Sequence, residues 1–237
     1  MKKLILTCIA VMLGFTAMLC IASMLFFSCS HTDPAAKYPN MAANIDPFSL
    51  GKISASLEQA LSSRLKETSI DVIFYPRENE VALEWKHSST LYRQIWSEAG
   101  RQQFTAALNR YKEDFAGQKL VTKYEKSRAA YGKVKGRFQW KPLTISPTYR
   151  ASPYFELGYR FRDNAPYFSV HQKTAKEESG ANKNAISESP QFSVYFTRAE
   201  GEELAKLFDS AFLAESLKDK SPLPAAGSNR DEYFTDN

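Results

Sequence analysis

The chain has 237 residues, 43% of them hydrophobic and 24% charged, which is close to an ordinary globular mix. Its formal charge is +5, from 31 basic and 26 acidic residues, and the first 28 residues account for two of the lysines. The remaining surplus is too small to argue for a nucleic-acid partner. All three cysteines (Cys8, Cys20 and Cys29) lie within the first 29 residues. The rest of the chain therefore has no disulfide framework, no cysteine nucleophile and no cysteine-type zinc site.

In chain order, Lys2 and Lys3 precede an uncharged apolar stretch from Leu4 to Phe27. A positive n-region followed by an apolar run is the plan of an export signal. The run is also long enough to span a bilayer as an uncleaved anchor, which needs about 20 residues. The apolar run ends in Phe26-Phe27-Ser28-Cys29, a small residue followed by cysteine. This junction resembles the lipobox of bacterial lipoproteins, in the looser form found in spirochaetes, with bulky Phe26 and Phe27 where the common pattern has Leu and a small residue. The resemblance covers about residues 1–30. It implies a signal peptide over 1–28 and lipidation at Cys29, which becomes the new N-terminus. Residues 29–45 then read as a lipidated cysteine and a polar, proline-containing tether. Two or three acyl chains anchor stably where one does not. The expected location is the cell membrane or outer membrane, on the non-cytoplasmic side.

Asp46-Pro47 offers an N-cap and a proline at the first helical position, and Ile53, Leu57, Ala60, Leu61 and Leu65 recur at helical spacing. The pattern predicts a helix over 47–67. Ile70, Val72 and Phe74 alternate, as do Val81, Leu83 and Trp85, with Pro76–Asn79 between them, which predicts a β-hairpin. Ser88, Ser89 and Thr90 offer caps for a long helix through Leu91, Ile95, Ala99, Phe104, Leu108, Tyr111 and Phe115, stopped at Gly117. Residues 118–131 fit a further helical turn or a charged connection. Beyond Gly132 the period becomes two, in strands around 133–141, 154–162, 167–172 and 191–197, with a long polar loop over 175–190. Thr197-Arg198-Ala199-Glu200 matches a capping box and opens a last helix.

The expected fold is α+β: a mostly antiparallel sheet of about six strands with helices packed on one face, in the order α-ββ-α-ββββ-α. It occupies 46–217 as one domain, followed by a disordered tail over 218–237.

No sequence motif carries catalysis. Ser49-Leu50-Gly51-Lys52 fits S-x-x-K but lacks the supporting motifs of serine acyl-enzymes. His31, His87 and His171 are scattered and read as surface histidines, with no metal site, and no cofactor is expected. One constellation is less routine. Lys133, Lys135, Arg137 and Lys141 point away from buried Val134, Phe138 and Trp140, and Arg160 and Arg162 occupy the polar side of a following strand. Like charges across a sheet are destabilising, so such a face suits an anionic partner: a lipid headgroup, a glycan or an acidic protein. The competing explanation is an edge strand whose lysines discourage aggregation. The expected function is a membrane-anchored lipoprotein of the cell envelope, a non-catalytic binding or organising module. A carrier for a hydrophobic ligand between helices and sheet, and an enzyme with a site dispersed in sequence, are the alternatives.

Overall fold

A computed structural model describes residues 45–58, 65–121, 127–142, 147–180, 188–218 and 220. The N-terminal segment with Cys29 and the tail beyond 220 lie outside the described residues. Ten strands are present among them: β1 (Phe48–Glu58), β2 (Leu65–Tyr75), β3 (Glu80–His87), β4 (Thr90–Trp96), β5 (Gly132–Lys135), β6 (Arg137–Pro142), β7 (Tyr149–Ala151), β8 (Tyr154–Arg162), β9 (Ala165–Gln172) and β10 (Phe192–Phe196). Three helices join them: α1 (Glu98–Ala116), α2 (Arg198–Phe208) and α3 (Ser210–Lys218). All strands belong to one antiparallel sheet, ordered β5-β8-β9-β10-β1-β2-β3-β4-β6-β7.

This overturns the six-strand α+β arrangement with helices on one face. Two expected helices account for most of the difference. Over 48–58, Ile53, Ala55 and Leu57 are buried and alternate with Lys52, Ser54 and Ser56, so the segment is a strand inserted between β10 and β2. Ile53 and Leu57 fit both periods, and cross-strand pairing of Ile53 with Ile70 decides for the strand. In the second case, Ser88 and Ser89 form a two-residue turn, with Ser88 at φ 54, and do not cap a helix. Thr90, Tyr92, Ile95 and Trp96 are strand-favouring residues, and α1 begins only after Ser97, whose Oγ accepts from the Gly100 amide at 3.3 Å. The hairpin of β2 and β3, the later strands and the Thr197 capping box fall where the sequence places them.

The sheet curls into a half-barrel. Gln94 on β4 donates to Gln172 on β9 at 3.2 Å, although β10, β1, β2 and β3 lie between those two strands in the sheet. Tyr92 on β4 meets Phe192 on β10 edge to face, with ring centroids 4.6 Å apart. The device behind this closure is one bent hairpin. β5 and β6 are continuous except for Gly136, and β7 and β8 except for Ser152-Pro153. Their pairing keeps one register throughout, from Gly132↔Leu157 to Trp140↔Tyr149, and the Gly136 amide donates to the Pro153 carbonyl at the bend. One half of this hairpin joins β4 and the other half joins β9. A bent strand pair shared by two sheet regions is how a sheet turns a corner. A Cβ at position 136 would lie 2.1 Å from the Phe155 ring, so the bend requires glycine.

The core lies on the concave side. Phe104 of α1 packs edge-on against Trp96, Phe168, Phe196 and Phe208, with centroids 5.1–6.1 Å apart. α2 approaches α1 at Gly201, where a Cβ would lie 2.8 Å from Leu108. Away from the helices the sheet packs on itself, with Phe192 against Trp85, Tyr92 and Phe138. Arg101, 1% exposed, fastens several elements together. It donates to the carbonyls of Asn79 (2.7 Å), Trp96 (3.3 Å) and Phe208 (3.3 Å) and to the Asn79 side chain (2.9 Å).

Candidate functional site

The convex side of the sheet carries two polar regions. The first runs along the bent strand of β5 and β6. Even-numbered Val134, Phe138 and Trp140 are buried, while Lys133, Lys135, Arg137 and Lys141 are exposed, with half-buried Gln139 between the last two. The row crosses the bend at Gly136, with Lys133 and Lys135 on one side of it and Arg137 and Lys141 on the other. Lys133 lies over the Tyr154 ring at 5.3 Å. Arg137 pairs with Glu80. Among the described residues no carboxylate lies within ion-pair distance of Lys135, Lys141 or Arg150.

Neighbouring strands extend the row sideways. Cross-strand register aligns Asp71, Glu84, Arg93, Gln139 and Arg150 on five successive strands. Arg93 donates to Glu84 through Nε (2.9 Å) and Nη2, and through Nη1 to Gln139 Oε1 at 3.2 Å. Gln139 separates two surface hollows of about 260 Å³ each. Arg137, Gln139, Arg150, Ser152 and Glu178 line one, and Leu91, Arg93, Gln139, Lys141 and Thr148 line the other.

The structure therefore brings Lys133, Lys135, Arg137 and Lys141 into one row but puts Arg160 and Arg162 elsewhere. Both arginines are under 9% exposed and turn to Glu58. Arg160 Nη1 donates to Glu58 Oε2 at 3.0 Å, and Arg162 pairs with Oε1. Both also donate to the Tyr195 hydroxyl, at 2.9 and 3.1 Å, and this hydroxyl donates to Glu58 at 2.7 Å. Burial pushes the Glu58 carboxyl up, but the Tyr195 bond and the two guanidinium charges outweigh it and hold the group below its usual range.

Next to this cluster, Glu156, His171 and Ser193 stand side by side on β8, β9 and β10. His171 is 2% exposed, which corrects the surface reading, and its Nδ1 lies 2.8 Å from Ser193 Oγ. Burial, reinforced by Arg128, lowers the imidazole from 6.5 to about 4. An acid, an imidazole and a hydroxyl in a row suggest acyl transfer, but the chemistry needs a base near neutrality. Here the imidazole is a weak base, Ser193 is covered, and Glu156 is engaged with Lys173 at 2.7 Å. The cluster holds strands together under the carbonyls of Ser127 and Arg128, which approach so closely that a Cβ at Gly158 would lie 1.9 Å from the Ser127 oxygen. Among the described residues no group of three or more metal-ligating side chains exists.

Sequence reasoning missed Glu58, which falls in an expected helix, and Arg150, on a three-residue strand too short to show alternation. Arg93 is legible only once 90–96 is read with period two.

Fold and surface together define a small β-rich module: a curled antiparallel half-barrel, closed by a shared hairpin, with a basic strand on its outer side. A family model described as an uncharacterised Treponema protein matches residues 47–215, and the chain belongs to that family. No curated protein and no solved structure matches it. Among the described residues no helix is long and apolar enough to cross a membrane.

Proposed function

We propose that this protein is a lipid-anchored lipoprotein of the bacterial cell envelope. Its domain binds an anionic partner on the exposed basic strand and does not act by catalysis. The observation that carries the reading is the row Lys133, Lys135, Arg137 and Lys141. All four side chains face solvent, and β6, which carries Arg137 and Lys141, is paired on both sides, with β4 and β7. An interior strand has no free edge to protect, so aggregation control does not account for Arg137 and Lys141. The positive charge gathered on this strand suits an outside anion. The anchor rests on Lys2, Lys3, the apolar run to Phe27 and Ser28-Cys29. For the carrier alternative, the rings around Phe104 fill the space a hydrophobic ligand would use, which favours surface binding.

Two experiments test the two parts. Metabolic palmitate labelling is expected to mark the wild type and not Cys29→Ala, and equal labelling would end the anchor reading. Full-length Cys29→Ala protein in neutral detergent is expected to bind the soluble lipid headgroup glycerophosphoglycerol, a sulfated oligosaccharide or poly-glutamate, more weakly as salt rises. Replacing Lys133, Lys135 and Lys141 together by Glu should abolish that binding. Unchanged binding by the triple variant would end the surface reading.

A further inference from the structure

Resting on the reading of the basic strand as a binding surface, we infer that its ligand is an acidic oligosaccharide seated across the two hollows that flank Gln139. Three features of the lining select this class. The cations are not packed as a flat patch but fall on both sides of one amide, Arg137 and Arg150 in one hollow and Arg93 and Lys141 in the other. From residue 137 to 141 the strand advances about 13 Å, so an occupant of both hollows is elongated. Gln139 Oε1 accepts from Arg93, which leaves its Nε2 as a fixed donor at the midpoint.

The third feature is Glu178. Its carboxylate lines the same hollow as Arg150 and accepts from Ser152 Oγ at 2.9 Å, and its backbone amide donates to the Arg150 carbonyl at 2.8 Å. A phosphate or lipid headgroup brought to this hollow meets a negative charge. A sugar carrying hydroxyls beside a carboxylate or sulfate satisfies both signs: hydroxyls donate to Glu178, and the acidic group accepts from Arg150. Arg93 and Arg137 are already engaged with Glu84 and Glu80, which sets their direction, while Lys141 and Arg150 have no such partner among the described residues. The assignment therefore gives Arg150 and Lys141 the acidic groups, Glu178 the hydroxyls and Gln139 the link between them.

Calorimetric titration of the full-length protein in neutral detergent tests this with four probes: a sulfated uronic-acid tetrasaccharide, uncharged maltotetraose, tripolyphosphate and glycerophosphoglycerol, the soluble headgroup of phosphatidylglycerol. The tetrasaccharide is expected to bind and maltotetraose is not. Arg150→Gln should weaken tetrasaccharide binding roughly tenfold or more, the loss of one charge-assisted bond. Glu178→Leu should weaken the tetrasaccharide but strengthen tripolyphosphate, since it removes hydroxyl acceptance and repulsion together. All these side chains are at the surface, and unchanged melting curves will show the variants folded. Tetrasaccharide affinity untouched by both variants, or equal binding of maltotetraose, would overturn the inference. Binding of the lipid headgroup or tripolyphosphate without the tetrasaccharide would overturn it while leaving the anionic-partner reading standing. Binding of none would remove both.

Discussion

Replacing His171 by Gln should remove a specific part of the protein's acid sensitivity. In the folded chain the imidazole is covered by the sheet and by the residues around Arg128, and it faces Arg160 and Lys173 as well as Glu156. Its pKa falls from 6.5 to about 4. The unfolded chain therefore takes up a proton near pH 6.5 that the folded chain refuses until about pH 4. This contribution to stability is complete above pH 6.5, is lost as the pH falls from there, and is gone below about 4. At 1.36 kcal/mol per unit, the whole window is worth about 3 kcal/mol, of which about 2 kcal/mol or slightly more has been lost by pH 4.5. A glutamine in its place would keep a polar contact to Ser193 but cannot titrate. Urea unfolding at pH 7 and 4.5 is the assay, with wild type losing about 2 kcal/mol more than the variant between the two. Carboxylates also protonate in this range, and the difference between the two proteins cancels them. Equal losses would refute the reasoning, as would an NMR titration placing His171 near 6.5 in the folded state.

Arg101→Met removes the donor to four acceptors, two of them buried and two part-buried, and is expected to lower stability by about 3–5 kcal/mol, read from denaturant midpoints; Arg101→Lys should recover only part, since one ammonium cannot reach the same fork of acceptors. Gly136→Ala should cost about 1–3 kcal/mol, because Phe155 must move from the bend, and Phe155→Leu in the same chain should return part of it. Glu58→Gln leaves Arg160 and Arg162 facing each other without their carboxylate and should cost about 2–4 kcal/mol, less at high salt than at low. Gln94→Leu alone should destabilise by about 1–2 kcal/mol by stripping a buried donor from Gln172.

Local strand patterns are readable wherever one face is apolar and the other polar. Val81, Leu83 and Trp85 opposite Glu80, Glu84 and Lys86 admit only period two, and β3 lies there. β1 is not readable in this way, because Ile53 and Leu57 satisfy a helix stripe as well as a strand face, and the partners that decide between them lie on β2 and β10. Ser97 is one of four serine or threonine residues within ten positions, each a plausible cap, so the expected helix runs backward through β4. For the site, alternation puts Lys133 through Lys141 on one side correctly. It cannot show that β5 and β6 belong to different halves of the sheet, nor that Arg160 and Arg162 point at Glu58 from a strand three places away. Glycines carry the missing information only in retrospect: Gly136 at the bend and Gly158 beneath a carbonyl look in the sequence like ordinary interruptions.

The insertion of β1 between β10 and β2 has a consequence for how the chain reaches this state. Ser56 pairs with Tyr195, so the first strand is completed only by the last. Until β10 is available, β1 keeps an open row of amides and carbonyls, and the polar knot of Glu58 with Tyr195 cannot form. Such distant pairing pays its loop-closure entropy before it is rewarded, which makes refolding slow relative to a helical protein of equal size. The β1-β2-β3-β4 meander is local in sequence and can pair first, so protection from hydrogen exchange is expected to appear there before it appears along the β1 edge that β10 covers.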